Sequence, residues 1–240
     1  MRFMKRGKMG RRTWIGAALV IAIVALVVAA VTVDTASKEP SATSTQPSQA
    51  SSLPPLEPLW PTAAFIGDSF TVGAKAGSPE ANYANVVCKI KKWVCILNGE
   101  GSTGFVNPGG HKDGKDIYSK RIPKVLQGVL PSVVVVQGGI NDPGTETVQP
   151  AVQDMIVKLK KELPDAKIVI VGPIQPPRRS PQVIELNRQA MKAAAAAENV
   201  QFVDPIGERW LTDPSLISDD GIHPNTDGYR IFAERLAADI

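Results

Sequence analysis

A serine, a histidine and an aspartate in this sequence have the chemistry and the spacing for nucleophilic catalysis. Ser69 follows a short apolar run within Gly-Asp-Ser. A serine hydroxyl is a weak nucleophile unless a base takes its proton during attack. His223 is a suitable base because an unperturbed imidazole has a pKa of about 6.5, and Asp220 lies three residues before it. In a turn, that spacing brings a carboxylate to the ring Nδ1, where it fixes the tautomer and stabilises the imidazolium.

Two of these assignments have competitors in the sequence. Asp219 directly precedes Asp220 and offers the same carboxylate one residue earlier. His111 is the only other histidine, but it lies in a glycine-rich stretch (NPGGHKDG) and has no aspartate three residues before it. We therefore expect His111 to be a solvated loop residue. The residues alone leave Asp219 and Asp220 both open as partners of His223.

The elements that must position these residues alternate between strand-like and helix-like segments. Five short apolar runs, some dense in β-branched residues, predict strands at 63–67, 94–98, 132–137, 167–171 and 200–203. Helical candidates lie at 116–128, 145–163, 182–199 and 226–238. This alternation is typical of a parallel sheet with helices on both faces, in which ligands bind at the carboxyl ends of the strands. The predicted fold is therefore a three-layer α/β/α domain with a five-stranded parallel sheet.

Polar clusters follow three of the predicted strands and precede the last helix. They read GDSFTVG, GEGSTG, GGIND and DDGIHPN. Together they resemble the sequence blocks of the SGNH hydrolase superfamily, the GDSL esterases and lipases. The resemblance covers about 180 residues, from Thr62 to the end of the chain. The chain departs from the older GDSL pattern at Phe70, where the family carries leucine, but that position has no catalytic role in the family.

The resemblance implies an SGNH-type, flavodoxin-like fold and cleavage of an ester through an acyl-enzyme. The spacing of the family's DxxH block favours Asp220 over Asp219, with Ser69 as nucleophile and His223 as base. Enzymes of this form need no metal and no organic cofactor. Acyl transfer to an acceptor other than water is a close variant, because the same acyl-enzyme would serve both reactions. A catalytically silent binding module of the same fold is the alternative of a different class, and the intact triad argues against it.

Attack on an ester creates an oxyanion that needs preorganised hydrogen-bond donors. The resemblance implies three such donors: the backbone N–H of Ser69, the backbone N–H of Gly104 and the side-chain amide of Asn141. Gly101 is the alternative to Gly104, because a single glycine marks the second block of the family. Glycine suits a position where the backbone must approach a substrate closely.

The positive charge of the chain is concentrated at its amino terminus. Of the 27 Lys and Arg residues, six precede Trp14, and no acidic residue occurs before Asp34. Without those six, 21 basic and 23 acidic residues remain. That balance excludes the basic footprint of a nucleic-acid-binding domain. The uncharged residues 14–33 are long enough, as a helix, to span the hydrocarbon core of a bilayer.

This charge pattern predicts four segments. They are a cytoplasmic basic tail (1–13), a transmembrane signal-anchor (14–33), a disordered linker rich in Ser, Thr and Pro (34–61) and the hydrolase domain (62–240). The positive charges before the anchor place the domain on the extracytoplasmic side of the cell membrane. The alternative is a cleaved signal peptide and a secreted product. In both cases the domain is exported, so its expected substrate is an ester of the cell envelope, either an acylated glycan or a lipid.

Two cysteines, Cys88 and Cys95, lie seven residues apart. In an exported domain they are expected to form a disulfide, across a hairpin or at a strand end. Two thiols at this spacing, with both histidines distant in sequence, match no zinc-ligand pattern. The sequence therefore predicts a structural bridge and no metal site.

Overall fold

The computed structural model describes residues 59–110 and 114–240. The basic tail, the signal-anchor and most of the linker that the sequence predicts lie outside these ranges, as does His111. Within the described ranges, no helix combines the length and the hydropathy needed to cross a membrane. The sheet of the folded domain begins at Thr62.

Five parallel strands form one sheet, which confirms the predicted architecture. They are β1 (Thr62–Gly67), β2 (Val94–Gly99), β3 (Val133–Gln137), β4 (Lys167–Val171) and β5 (Gln201–Val203). Their order across the sheet is β2-β1-β3-β4-β5, and Phe65 of β1 pairs with Leu97 of β2 and Val135 of β3. Because β2 and β3 lie on opposite sides of β1, the carboxyl end of β1 is a topological switch point, where such sheets bind ligands.

The described residues contain six α-helices, which cover both faces of the sheet. They are α1 (Ser69–Val72), α2 (Tyr83–Lys91), α3 (Ile122–Val125), α4 (Val148–Glu162), α5 (Pro181–Ala197) and α6 (Thr226–Asp239). One hydrophobic cluster packs α2 and α6 against one face of β1, at Phe65. A second packs α3, α4 and the carboxyl-terminal half of α5 against the other face, at Ile66. Successive strand residues point to opposite faces, so β1 is buried on both sides.

One predicted helix is replaced by two shorter elements, a 3₁₀ turn and a short α-helix. The sequence pattern predicts a single helix over 116–128, but a 3₁₀ turn at Tyr118–Arg121 leads into the four-residue α3. Pro123 has no backbone N–H, so it cannot donate the α-helical hydrogen bond to the carbonyl of Ser119. The prediction of a continuous helix was therefore wrong at this point.

The helix α2 lies where the sequence pattern predicts none, since its β-branched and aromatic residues have modest helix propensity. It is stabilised by packing against α6 and by a cap at Asn82, whose Oδ1 accepts from the N–H of Ala84 at 2.8 Å. Cys88, in this helix, forms a disulfide with Cys95 of β2, and their Cα atoms lie 6.0 Å apart. The predicted disulfide is thus confirmed, and it joins a helix to the start of a strand.

Removing this disulfide should lower the stability of the domain. We expect the free energy of unfolding of the Cys88→Ala/Cys95→Ala variant to fall by about 2.5 kcal/mol, because the bridge restricts the unfolded chain. Urea unfolding monitored by tryptophan fluorescence measures the difference. Reduction of the wild-type protein with dithiothreitol is the control and should produce a similar decrease. An unchanged midpoint in both experiments would contradict a stabilising role.

Candidate active site

Ser69 is the first residue of α1 and comes just after the carboxyl end of β1. Asp68 caps this short helix, because its Oδ1 accepts a hydrogen bond from the N–H of Phe70 at 2.9 Å. Glycine is required at position 67, since a Cβ there would lie 2.2 Å from Thr71 Oγ1. The Gly-Asp-Ser sequence therefore forms a tight turn that places Ser69 at the carboxyl edge of the sheet.

Buried hydrogen bonds hold this turn from the side of α2. The hydroxyl groups of Thr71 and Tyr83 lie 2.8 Å apart. The side-chain amide of Asn82 donates to the carbonyl of Thr71 at 2.6 Å. The start of α2 is thus tied to α1, which explains how a helix that the sequence pattern does not predict contributes to the site.

His223 lies between Ser69 and Asp220. Its Nε2 is 2.8 Å from Ser69 Oγ, and its Nδ1 is 2.6 Å from Asp220 Oδ2. With the proton on Nδ1, the ring donates to the carboxylate and can accept the proton of the serine hydroxyl. The tertiary fold therefore brings the three residues predicted from the sequence into one hydrogen-bonded chain.

The turn before α6 fixes the orientation of Asp220. Its Oδ1 accepts hydrogen bonds from the N–H groups of Ile222 and His223, at 2.8 and 3.0 Å, and from the Ser218 hydroxyl at 2.8 Å. Burial raises the pKa of Asp220, but these hydrogen bonds and the one from the His223 ring outweigh burial and hold the pKa well below its usual range. The carboxylate is therefore ionised near neutral pH and can stabilise a positive charge on the imidazole.

Asp219, the competing carboxylate, points away from the histidine. Its side chain is 84% exposed, and Oδ1 forms a salt bridge of 3.0 Å with the ammonium group of Lys75. This ion pair connects the turn before α6 to the loop after α1. The structure thus gives Asp220 the contact with His223 and leaves Asp219 at the surface.

Two of the three expected oxyanion donors lie at the same edge of the sheet. The side-chain amide of Asn141 donates to the Thr103 carbonyl at 3.0 Å and to Asp68 Oδ2 at 3.4 Å. The backbone N–H of Ser69, at the first position of α1, makes no hydrogen bond to another described residue. Both donors are therefore next to the nucleophile turn.

The N–H of Gly104, the third expected donor, is already used in another hydrogen bond. It donates to the carbonyl of Asn107 at 2.8 Å. A Cβ on Gly104 would lie 2.4 Å from Asp142 Oδ1, so glycine is needed here to admit that carboxylate. A Cβ on Gly101 would instead lie 3.8 Å from Ser69 Cβ, and the Gly101 N–H makes no hydrogen bond to another described residue. The geometry thus favours the alternative, Gly101, over Gly104 as the second backbone donor.

Asp142 organises the loops on this side of the site. Its carboxylate accepts hydrogen bonds from the N–H groups of Phe105 and Val106, at 3.2 and 2.9 Å. Asn187 in α5 donates to the carbonyl oxygens of Asp142 and Gly139, at 2.8 and 2.9 Å. Burial raises the pKa of Asp142, although the backbone hydrogen bonds partly offset it. Asp142 therefore supports the loops, while the His223 ring is hydrogen-bonded to Asp220 and Ser69.

A buried arginine that the sequence analysis does not single out joins the ends of β1 and β2. The guanidinium of Arg121 donates to the carbonyl oxygens of Gly67 at 2.9 Å and Asn98 at 3.0 Å. It also lies 4.9 Å from the centre of the Tyr118 ring, in a cation–π contact. The available sequence signal was its spacing from Tyr118 and Val125, which puts a charge on an otherwise apolar helical face.

Asp68 is completely buried beneath the nucleophile turn. Burial raises its pKa to about 7, even though the hydrogen bond from Phe70 and the charge of Arg121 lower it. A group whose pKa is raised by folding is more readily protonated in the folded protein than in the unfolded chain. The contribution of Asp68 to the free energy of unfolding is therefore fully present at low pH, and it is lost as the pH rises to about 7.

Asp68→Asn should remove this pH dependence, because the amide stays neutral. The free energy of unfolding of the wild type should fall relative to the variant by up to roughly 4 kcal/mol between pH 4 and 7, following the pKa difference from 3.8 to about 7. Urea unfolding of both proteins at several pH values measures the change. Asp165→Asn, at an exposed position, is the control and should follow the wild type. Parallel curves for wild type and Asp68→Asn would contradict the prediction.

A three-layer α/β domain with a hydrogen-bonded Ser-His-Asp chain at the carboxyl edge of its sheet has the arrangement of a serine hydrolase. Residues 65–231 match the model of the GDSL-like lipase/acylhydrolase family. This match spans well over half of the chain, including Ser69 and His223. The protein therefore belongs to the GDSL-like lipase/acylhydrolase family and is a carboxylic-ester hydrolase.

Individual relatives agree with this family. The chain is 27% identical to the GDSL lipase Rv0518 of Mycobacterium tuberculosis over 186 residues, which covers 72% of this chain and 79% of the relative. A family two carbohydrate esterase from Clostridium thermocellum in complex with cellohexaose has a TM-score of 0.62 at 24% identity, covering 77% of this chain and 64% of that one. Est24, a carbohydrate acetylesterase from Sinorhizobium meliloti, has a TM-score of 0.60 at 17% identity, covering 75% and 97%. These structures show a shared fold.

Proposed function

We propose that this protein is an extracytoplasmic serine ester hydrolase, tethered to the cell membrane, that acts on O-acyl esters of envelope glycans or lipids. The observation that carries the mechanism is the hydrogen-bonded chain from Ser69 Oγ through the His223 ring to Asp220 Oδ2. Asp220 has the low pKa that a stabilising carboxylate needs. The nucleophile, the base and the orienting acid are thus already in contact in the free protein.

In the proposed reaction, Ser69 Oγ attacks the carbonyl carbon of the ester while His223 Nε2 takes its proton. The tetrahedral intermediate collapses as His223 gives this proton to the oxygen of the leaving alcohol, and the acyl group remains on Ser69. Water then attacks the acyl carbonyl while His223 Nε2 takes one of its protons, and His223 returns this proton to Ser69 Oγ as the bond to the acyl carbon breaks and the carboxylic acid leaves. Asp220 stays ionised and stabilises the imidazolium in both steps.

The negative charge on the carbonyl oxygen requires donors that are in place before the reaction. The backbone N–H groups of Ser69 and Gly101 have no partner among the described residues, so both are available. The Asn141 amide is the third donor, and its long contact of 3.4 Å to Asp68 is the hydrogen bond that a substrate oxyanion would replace. The loop that carries Gly101 thus faces the nucleophile turn across the site.

The proposed location rests on the sequence before the domain. Residues 1–13 carry six positive charges, residues 14–33 form an uncharged run, and residues 34–61 have the composition of a linker. This arrangement supports a single-pass protein with a cytoplasmic amino terminus, an extracytoplasmic domain at 62–240 and a substrate in the envelope. The similarity to two carbohydrate esterases supports glycan esters within this class, and the related lipase supports lipids.

Ser69→Ala should abolish ester hydrolysis, because no other group replaces the attacking hydroxyl. We expect kcat on p-nitrophenyl acetate to fall by at least about 10³-fold. Ser78→Ala, an exposed serine outside the site, is the matched control and should retain wild-type activity. Equal rates for Ser69→Ala and the wild type would rule out the proposed nucleophile and favour a binding module of this fold.

Asn141→Ala removes one oxyanion donor and should lower kcat by about 10²–10³-fold, equivalent to roughly 3–4 kcal/mol. Steady-state kinetics on the same ester, together with thermal unfolding, separates the catalytic effect from a loss of stability. Asn85→Ala, whose exposed amide donates to the Pro79 carbonyl at 2.7 Å, is the control for loss of an amide. An unchanged kcat for Asn141→Ala would remove this residue from the oxyanion hole.

A further inference from the structure

Large apolar side chains are exposed at the amino-terminal edge of the sheet, opposite to the triad. Leu59 and Trp60, directly before β1, are 96% and 55% exposed. Val129 and Leu130, shortly before β3, are 72% and 56% exposed, and Val94 at the start of β2 is 52% exposed. Apolar side chains that are exposed as a group, rather than singly, mark interaction surfaces.

Strand pairing brings these residues together. The N–H of Val94 donates to the carbonyl of Pro61 at 2.9 Å, and the N–H of Ser132 donates to the carbonyl of Thr62 at 2.9 Å. Because β1 lies between β2 and β3, the chain at Trp60 has the start of β2 on one side and the approach to β3 on the other. We call Leu59, Trp60, Val94, Val129 and Leu130 the edge patch.

The edge patch is also the point at which the chain enters the domain. The residues before Leu59 include the uncharged run 14–33. Tryptophan is enriched where proteins meet the headgroup region of a bilayer. We propose that the edge patch docks on the surface of the bilayer that anchors the chain, so that the triad faces away from the membrane. This inference rests on the proposed membrane tether and adds an orientation to it.

Charges next to the edge patch are mixed. Lys92 precedes β2 by two residues and Lys167 begins β4, while Asp165 lies just before β4, and all three are exposed. Attraction to anionic lipids therefore contributes little, and the apolar side chains carry the docking. Vesicles of zwitterionic phosphatidylcholine should suffice, with a weak dependence on ionic strength.

The orientation selects a class of substrate. All five strands are parallel, and Ser69 comes just after the carboxyl end of β1, whereas Trp60 precedes the same strand. A strand rises about 3.3 Å per residue, so the six residues of β1 separate the patch from the nucleophile by about 20 Å. With the patch on the bilayer, the triad reaches esters on glycans that extend into water, and acyl chains held within that bilayer lie out of its reach.

Fluorescence quenching tests the docking. The full-length protein and Trp60→Phe are reconstituted into phosphatidylcholine vesicles with and without lipids brominated near the headgroup. The other three tryptophans are present in both proteins. If Trp60 contacts the bilayer, its removal should lower the quenched fraction of the emission. A quenched fraction that stays equal or rises in Trp60→Phe would overturn the proposal.

A pair of double variants tests the rest of the patch. Val129→Ser/Leu130→Ser should weaken the docking of Trp60 and so lower the quenched fraction of the tryptophan emission. The turnover of p-nitrophenyl acetate should stay unchanged. Val157→Ser/Leu186→Ser, at positions on α4 and α5 that are 50% and 56% exposed, is the matched control and should quench like the wild type. Equal quenching in all three proteins would count against docking through the patch. Two results together would overturn the proposal: quenching that disappears when the ratio of protein to lipid is lowered, and a dimer detected by crosslinking. They would show that the edge patch binds a second copy of the chain.

Two further measurements separate this inference from the proposed function. Extraction of the vesicles with alkaline carbonate tests the tether. Loss of the protein from the membrane would overturn tether and docking together.

Hydrolysis by the reconstituted protein is compared for a soluble acetylated oligosaccharide and for a lipid ester in the same vesicles. Only the oligosaccharide should be cleaved. Cleavage of the lipid ester by a retained, active protein would overturn the orientation alone, whereas cleavage of neither ester would count against the proposed enzyme.

Discussion

The end of the sheet that carries Ser69 depends on one buried charge, the guanidinium of Arg121. The guanidinium of Arg121 donates to the carbonyl oxygens of Gly67 in β1 and Asn98 in β2, and it reaches Thr103 Oγ1 in the next loop at 3.4 Å. Burying such a charge is unfavourable unless hydrogen bonds and nearby groups compensate for the lost hydration. Because one rigid group binds both strand ends, the nucleophile turn and the loop that carries Gly101 keep a fixed separation.

The pKa values of three aspartates at this edge differ because their surroundings differ. Asp68 and Asp142 are buried, and burial raises the pKa of both carboxyl groups. The pKa of Asp220 is lowered because hydrogen bonds from the turn before α6 outweigh its partial burial. A buried acid with a raised pKa suits a structural position, where it accepts backbone hydrogen bonds with little negative charge. An acid with a lowered pKa suits the position behind a histidine that becomes charged during a reaction.

The parallel arrangement of the strands separates attachment from chemistry. Every strand runs in the same direction, so the end at which the chain enters β1 and the end that carries Ser69 lie at opposite edges of the sheet. Helices cover the two faces, as in other parallel sheets. The two edges are therefore the surfaces that remain for function: one holds the triad and the other the exposed edge patch.

The sequence alone was sufficient for the strands, the three-layer class and the disulfide partners. These features depend on local periodicity and short spacings, which a linear chain displays directly. The assignment of Ser69, His223 and Asp220 also needed the resemblance to a known family, because Ser69 and His223 are 154 positions apart and the residues alone left Asp219 open. Tertiary structure decided the strand order, the formation of α2 and the burial of Arg121. It also decided the role of Gly104, which is glycine because Asp142 packs against it. Such features depend on contacts between residues far apart in sequence, which have no local pattern.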